Sequence, residues 1–160
     1  MKYFIERARS RKWRMTGMIW WNLIDGWPQF SDAVVDYYYC KKLAYHYIKC
    51  SQQPVCLILS ETDEGEVVLY GVNDTRDNVE LTYTVKCLWV NKIFANGKVV
   101  IKADAVMEIA KIRFDYAGQD IFAIEWDGEF SKGKNHYLYG KPQFELSDYV
   151  KSMREFSNNL

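Results

Sequence analysis

Histidine and proline are scarce in this chain of 160 residues, which has two His and three Pro. With only His46 and His136 available, a His-rich metal site is excluded and a His-based nucleophile triad is disfavoured. Charge of one sign is also lacking, because 21 Lys and Arg balance 21 Asp and Glu. No overall field draws the chain to nucleic acid or to an anionic membrane. We therefore expect no metal or other cofactor, and neither nucleic acid nor a membrane as a partner.

Long apolar runs are absent as well. The longest, Met18 to Trp21, is far shorter than the roughly 20 residues of a membrane-spanning helix. The start of the sequence lacks the apolar stretch and cleavage site of a secretory signal, which favours the cytoplasm. The four cysteines show no C-x-x-C spacing and lie in apolar segments, so we expect buried, reduced thiols. They are Cys40, Cys50, Cys56 and Cys87.

Aromatic residues, in contrast, are dense and unevenly placed. They make up 16% of the chain, and four of the six Trp lie within the first fifty residues. Up to about Lys49 the pattern predicts helix, strand, helix, whereas beyond Pro54 short alternating runs are separated by turn residues. We predict a terminal segment over residues 1–52 and a second domain over residues 53–160.

The terminal segment carries a helix pattern followed by a strand pattern. Tyr3 to Lys12 predicts a helix whose basic residues form a solvent-facing surface, with phosphate binding as the alternative. Thr16 to Ile24 is apolar on both alternating faces, which is typical of a covered strand in a parallel sheet. The turn cluster Asp25 to Pro28 ends that strand, and the loop after a parallel strand is where α/β enzymes bind ligands.

A second helix is predicted from Cys40 onward. Its apolar positions have the spacing i, i+3, i+4, i+7, i+8 of an amphipathic helix, and they are Cys40, Leu43, Ala44, Tyr47 and Ile48. Asp36 precedes this helix, where its carboxylate is an N-cap candidate, with a role in ligand binding as the alternative.

The second domain contains seven predicted strands. They run over Val55 to Leu59, Glu66 to Val72, Val79 to Trp89, Val99 to Lys102, Val106 to Phe114, Ile121 to Trp126 and Asn135 to Tyr139. Turns are predicted at residues 63–65, 73–75, 96–97, 118–119 and 127–128. This spacing favours an immunoglobulin-like β-sandwich. A final helix is predicted after Ser147-Asp148, since Tyr149, Val150, Met153 and Phe156 share one helical face.

The aromatic-rich segment resembles a known family. Gly17 to Ser31 reads GMIWWNLIDGWPQFS and is followed by Asp36-Tyr37 and by Lys42 to Tyr45. This order and spacing resemble the end of the catalytic barrel in glycoside hydrolase family 2, most closely the β-mannosidase-like members. The resemblance implies the last strand, loop and helix of a (β/α)8 barrel, followed by an immunoglobulin-like domain. The chain would then be mainly β, with a helix-strand-helix remnant of the barrel before the sandwich.

Two departures from the family pattern leave the sugar open. Ile24 stands where β-mannosidases usually have Asn before the loop Asp, and Asp32 stands where they usually have Trp. A β-galactosidase, β-glucuronidase or exo-glucosaminidase parent is therefore also compatible with the sequence.

The resemblance implies a retaining hydrolase with two catalytic Glu on earlier barrel strands. Retention needs two carboxyl groups about 5 to 5.5 Å apart. None of the carboxylates of the terminal segment matches a catalytic position of the family; they are Glu6, Asp25, Asp32 and Asp36. We identify no catalytic residue here and expect the chain to be inactive alone.

The resemblance also implies that Trp21 and Asn22 face a β-linked sugar and that Asp25 and Trp27 shape the loop. An aromatic ring packs on the C–H face of a pyranose, and carboxylate or amide groups bind its hydroxyls. The competing interpretation is packing, because Trp20 and Trp21 point to opposite faces of a strand. Further along the chain, Tyr137 and Tyr139 form either a sugar platform or part of the core.

Three functions follow from these features. The favoured one is the C-terminal portion of a family 2 β-glycosidase, which braces the barrel and contributes part of the sugar subsite. A carbohydrate-binding module and an oligomerising β-sandwich domain are the alternatives. The partners are accordingly a carbohydrate and either the rest of the catalytic domain or a second copy of the chain. Without the barrel, residues 1 to 50 would pack on the sandwich or on that second copy.

Overall fold

A computed structural model describes residues 1–62, 66–113, 118–141 and 143–158. Within them lie three helices and seven strands. The helices are α1 (Lys2–Ser10), α2 (Leu43–Ser51) and α3 (Leu146–Asn158). The strands are β1 (Val55–Glu61), β2 (Val67–Asn73), β3 (Val79–Cys87), β4 (Lys92–Ile101), β5 (Ala105–Ile112), β6 (Asp120–Gly128) and β7 (Ser131–Tyr139). The predicted turn at residues 63–65 lies outside the described residues.

The strands form two antiparallel sheets that enclose the main core. The first sheet has the order β1-β2-β5 and the second β4-β3-β6-β7. Along β3 the buried Val79, Leu81 and Val85 alternate with more exposed residues, as the period of two requires. Phe122 and Ile124 of β6 are fully buried and lie on the inner face of the same sheet. The expected mainly β sandwich is confirmed, with the fourth strand paired to the third.

Two of the predicted turns are wrong. Asn96-Gly97 lies inside β4, which begins at Lys92 and not at Val99. Gly97 is opposite Tyr83, and a Cβ there would stand 3.3 Å from the tyrosine ring, so the glycine makes room for a cross-strand aromatic residue. Gly128 similarly belongs to β6, where a Cβ would stand 2.3 Å from the carbonyl oxygen of Glu80. A facing tyrosine ring explains Gly97 and a close backbone approach explains Gly128, so neither glycine marks a turn.

The predicted barrel strand over Thr16 to Ile24 does not form. Residues 16–23 form neither helix nor strand, and within the described residues the one bridge from this stretch joins Ile24 to Val35. A parallel strand needs hydrogen-bonded neighbours on its edges, and within the described residues only the end of this stretch is paired, where Val34 and Val35 donate to the carbonyl oxygens of Asn22 and Leu23. The helix-strand-helix remnant of a barrel is therefore not confirmed.

The residues before α2 also differ from expectation. The helix begins at Leu43, and no side chain caps it. The carboxylate of Asp36 accepts hydrogen bonds from the backbone N–H groups of Tyr38 and Cys40, at 2.9 and 2.8 Å. Asp36 thus closes a turn over residues 36–40 and is not an N-cap. Because this turn replaces the first helical turn, Cys40 is exposed. The predicted burial of the cysteines is also wrong for Cys50, and it is confirmed for Cys56 and Cys87.

The basic residues of α1 contact the sandwich and do not form the solvent-facing surface that the sequence predicts. The Arg9 guanidinium donates to the carbonyl oxygens of Ser51 and Gln53, at 2.5 and 2.8 Å, and to Asp74 at 2.7 Å. The Lys12 ammonium lies 2.8 Å from Asp74 and 2.6 Å from Asp104. These contacts attach α1 to the end of α2 and to the loops beside β2 and β5.

Two further packing features complete the fold. A small second core joins α1 to the segment before α2 and contains Ile5, Val34, Val35 and Ile48. The predicted C-terminal helix forms as α3 and lies on the second sheet, with the Trp89 indole N–H donating to Ser152 at 2.9 Å. None of the helices in the described part of the chain is long and apolar enough to span a membrane.

Candidate functional site

Several exposed apolar side chains lie on residues 16–24 and on the loop that follows them. We call this set the aromatic face; it consists of Ile19, Trp21, Leu23, Trp27 and Phe30. Ile19 is 98% exposed and Trp21 83% exposed. Isolated exposed apolar residues are ordinary on protein surfaces, whereas a contiguous run marks a surface for interaction.

The backbone that carries the first part of this face is largely without hydrogen bonds. No hydrogen bond among the described residues engages the backbone of residues 16–21, although pairing resumes where Val34 N–H donates to Asn22 O at 3.3 Å. Next to that pair, Asn22 Oδ1 is the one enclosed side-chain polar atom that has no hydrogen-bond partner within the described chain. An enclosed carbonyl oxygen without a donor costs free energy. The segment therefore presents unsatisfied polar groups together with apolar side chains.

The adjacent residues Trp20 and Trp21 differ in their burial. Trp20 packs against the small core formed by Ile5, Val34 and their neighbours, whereas Trp21 projects outward. One indole of the pair is thus packed and the other exposed. The peptide bond between Trp21 and Asn22 is cis.

Asp25 is the centre of the loop that carries Trp27 and Phe30. Its carboxylate is buried and accepts hydrogen bonds from the Ser31 hydroxyl and from Gln29 Nε2, the latter at 3.2 Å. The Lys42 ammonium lies 3.2 Å from the other carboxylate oxygen. The hydrogen bond from Ser31 is the largest influence on the pKa of Asp25 and, with the contacts to Lys42 and Gln29, lowers it against the opposing effect of burial.

The four predicted sugar-binding residues therefore differ in availability. Trp21 and Trp27 are exposed on the aromatic face. The carboxylate of Asp25 is already occupied by Ser31, Gln29 and Lys42, so it holds the loop in place. Asn22 has its side-chain oxygen without a partner. Sequence reasoning missed the three residues that hold Asp25, although Gln29 and Ser31 follow it at i+4 and i+6, close enough for a local side-chain contact.

The other carboxylate of interest, Glu6, is part of the attachment of α1. Its Oε1 accepts a hydrogen bond from Asn135 Nδ2 at 2.9 Å, and its Oε2 lies 2.7 Å from the Lys2 ammonium. Glu6 is 4% exposed. Its two oxygens are thus committed to structural contacts.

The burial of Tyr137 on β7 decides between a sugar platform and a core role for this residue. This side chain belongs to the main core, and its hydroxyl donates to Glu61 at 2.5 Å. Burial, followed by the hydrogen bond to Glu61, raises the pKa of Tyr137. Tyr139 packs against the same core, so both tyrosines have the core role and not that of a sugar platform.

Comparison with solved structures identifies the same fold inside larger proteins. The β-D-mannosidase of Dictyoglomus thermophilum matches with a TM-score of 0.74 and 22% identity, over 87% of this chain and 18% of that one. The exo-chitosanase of Amycolatopsis orientalis matches with a TM-score of 0.68 and 20% identity, over 87% of this chain and 18% of that one.

Both matched proteins are much longer than this chain. This chain spans less than a fifth of the length of either protein. No family model matches the sequence, and no curated protein matches it. The likeness shows that a fold covering 87% of this chain occurs as a part of longer enzymes.

Proposed function

We propose that this chain is the C-terminal portion of a family 2 retaining β-glycosidase of the β-mannosidase type. In that role it braces the catalytic barrel, contributes part of the sugar subsite and is inactive by itself. The aromatic face is the observation that carries the proposal.

Physical chemistry supports a covered state for this face. Trp21 is 83% and Ile19 98% exposed, and within the described part of the chain the backbone of residues 16–21 has no hydrogen-bond partner. A neighbouring strand would provide backbone donors and acceptors, and side chains beyond it would cover the apolar groups. One missing neighbour thus accounts for both the exposed side chains and the unpaired backbone of this segment.

The comparisons support the nature of that neighbour. Both matched enzymes have more than four fifths of their length outside the region that this chain covers. The two matched proteins are a β-D-mannosidase and an exo-chitosanase. The sequence GMIWWNLIDGWPQFS over Gly17 to Ser31 resembles the end of the barrel in the same family.

The residues of the loop have distinct tasks in this proposal. The indole of Trp21 packs on the apolar face of a pyranose, and the carboxamide of Asn22 binds a hydroxyl group. Asp25 acts as a positioning residue, since its bonds to Ser31 and Lys42 fix the loop that presents Trp27. The proton transfer and the nucleophilic attack belong to two carboxyl groups supplied by the larger enzyme.

The first test is the intact mass of the native polypeptide that contains this sequence in its source cells. We expect a mass several-fold larger than 18.9 kDa, together with hydrolysis of an aryl β-mannoside by the purified native protein. The isolated chain should show no hydrolysis of the same substrate. A native mass of 18.9 kDa would overturn the proposal, and so would turnover by the isolated chain.

A second copy of the chain is the other candidate partner for the aromatic face. Light scattering on the isolated chain distinguishes the two. Dissociation of any dimer by Trp21→Lys, combined with a native mass of 18.9 kDa, would favour an oligomerising sandwich module over a portion of a glycosidase.

A further inference from the structure

The turn over residues 36–40, directly before α2, exposes three consecutive tyrosines. Tyr38 is 70% and Tyr39 is 78% exposed, and the Tyr37 ring contacts the Tyr38 ring edge-on with the centroids 5.4 Å apart. Among the described residues none of the three hydroxyls has a hydrogen-bond partner, and none of the rings belongs to either hydrophobic core. The three side chains therefore contribute little to the stability of the fold.

The backbone of this turn, in contrast, is firmly held. The Asp36 carboxylate accepts hydrogen bonds from the backbone N–H groups of Tyr38 and Cys40. The backbone N–H of Asp36 donates to the carbonyl oxygen of Cys40, and that of Tyr39 donates to the carbonyl oxygen of Asp36, both at 3.0 Å. Because four hydrogen bonds close five residues, the tyrosines project from a fixed support. A ligand that contacts them would pay little for ordering the chain.

Tyr39 is strained within this turn. Its backbone has the left-handed conformation, with φ 65°. This region favours glycine and asparagine, and a bulky aromatic residue adopts it at a cost in free energy. Burial of the ring does not offset that cost, because the ring is exposed. Strain of this kind is concentrated at binding and catalytic sites, which indicates that the side chain serves contact with a ligand.

The turn and the loop that carries Trp27 emerge at the same end of the segment. Ile24 bridges Val35 in a parallel sense, so the chain leaves both residues in one direction, toward Trp27 and toward the tyrosines. The Lys42 ammonium, which follows the turn, lies 3.2 Å from the carboxylate of Asp25 in that loop. The loop and the turn are therefore fixed relative to each other.

We propose that Tyr38 and Tyr39 form a second sugar-contacting surface beside this loop, so that the substrate is a β-linked oligosaccharide of at least two sugars. This assignment rests on the proposed function and adds an outer sugar to the one that contacts Trp21. A tyrosine ring packs on the C–H face of a pyranose, and its free hydroxyl bonds to the hydroxyl groups of the sugar. An apolar protein surface would instead bury both tyrosine hydroxyls without partners, which costs free energy.

The test uses the native protein that contains this sequence and compares two substrates. One is β-linked mannotriose, and the other is β-mannosyl fluoride, which has a single sugar and a small leaving group. The double variant Tyr38→Ala/Tyr39→Gly should lower kcat/KM for the trisaccharide about tenfold and leave that for the fluoride unchanged. Glycine adopts a positive φ without strain, so the turn should keep its shape and the midpoint of thermal unfolding should stay almost the same.

Two further variants separate contact with the sugar from a structural effect. Tyr38→Phe keeps the ring and loses the hydroxyl, so it should lower kcat/KM for the trisaccharide only about twofold to threefold. Phe130→Ala, at an aromatic residue that is 81% exposed between β6 and β7, is the matched control and should change neither substrate.

The remaining outcomes distinguish this assignment from the proposed function. Equal losses on both substrates in the double variant would show that the turn contacts the rest of the enzyme, and would overturn the assignment. Unchanged kinetics on both substrates would overturn it too and leave the proposed function intact. Failure of the unaltered native protein to hydrolyse any β-mannoside would overturn the proposed function itself, and this assignment with it.

Discussion

The side chains of Asn135 and Glu6, 129 positions apart in the chain, meet in a buried hydrogen bond of 2.9 Å. Asn135 also donates to the carbonyl oxygen of Leu57 at 2.9 Å, and Glu6 pairs with Lys2. The bond therefore joins α1 to both β1 and β7. A charged group that is buried and fully bonded becomes costly when one of its partners is removed.

We expect Glu6→Ala to lower the free energy of unfolding by about 3 kcal/mol, because it removes one buried acceptor from Asn135 and the anionic partner of Lys2. Urea denaturation followed by tryptophan fluorescence measures the change. Glu80→Ala is the matched control, since Glu80 pairs with Lys98 on an exposed strand surface, and it should change stability by less than about 0.5 kcal/mol. Equal effects of the two variants would contradict the structural role of Glu6.

Arg9 allows a test of the predicted boundary between residues 52 and 53. Its guanidinium binds the carbonyl oxygens of Ser51 and Gln53 and therefore fixes the junction between α2 and β1. Arg9→Lys should increase the rate of proteolysis within residues 51–54, because an ammonium group lacks the planar fork that reaches several acceptors at once. Arg14→Lys, at an exposed arginine of the same segment, should leave the cleavage rate unchanged. Similar rates for both variants would count against Arg9 as the residue that fixes this junction.

Asp74 should give the chain a measurable sensitivity to acid. Burial opposes ionisation of this carboxyl, but the hydrogen bonds and charges of Lys12 and Arg9 lower its pKa below the ordinary value of 3.8. A lowered pKa in the folded state means that the stabilisation is complete above pH 3.8 and is lost as the pH falls through the lower value. Asp74→Asn should cost at most about 1 kcal/mol at pH 6, because Asp74 is partly exposed.

Urea denaturation over a pH series checks this expectation. The difference between the parent chain and Asp74→Asn should shrink as the pH falls from about 4 to about 2. High salt should reduce the difference at pH 6, since the ion pairs with Arg9 and Lys12 lie near the surface. A difference that does not change with pH would show that the charge of Asp74 is not what stabilises the fold.

Trp20 and Trp21 form a matched pair for separating packing from ligand contact. Trp20→Ala should lower the midpoint of thermal unfolding of the isolated chain, because its indole packs on the small core. Trp21→Ala should leave that midpoint almost unchanged, because the indole is 83% exposed. In the native glycosidase the proposal predicts that Trp21→Ala lowers kcat/KM for an aryl β-mannoside. An unchanged kcat/KM would remove Trp21 from the sugar subsite.

Asp25 and Asp32 provide the same comparison within the loop. Asp25→Ala removes the acceptor of Ser31, Gln29 and Lys42, so backbone amides around Val34 and Val35 should exchange hydrogen faster. Asp32 is exposed, and Asp32→Ala should leave the exchange rates as they are. If Asp25→Ala exchanges as slowly as the parent chain, the loop is held by other contacts.

The sequence predicted the sandwich more accurately than the segment before it. Strand β3 pairs on one side with β4, its neighbour in the chain, and the alternation of Val79, Leu81 and Val85 is visible in the sequence itself. The extended stretch over Thr16 to Ile24 carries an equally clear apolar pattern, yet no strand forms. A parallel strand depends on partners far away in sequence, and a local pattern does not reveal whether they are present.

Local patterns also misled at particular residues. Asp36 stands just before a helical pattern, but its carboxylate bonds to Tyr38 and Cys40 and closes a separate turn. Gly97 has a turn residue before it, but its missing side chain accommodates Tyr83 on the facing strand. In each case the competing structure depends on a bond or a ring that the residue type alone does not specify.

The sequence by itself determined the main β composition and the final helix, because these follow from periodicities of two and of 3.6 residues. Only the tertiary structure decided that Arg9 and Lys12 bind the sandwich, that Asp25 is occupied by Ser31 and Lys42, and that Glu6 bonds to Asn135. Such contacts join residues up to more than a hundred positions apart. Their free energy depends on distances that exist only after the chain has folded.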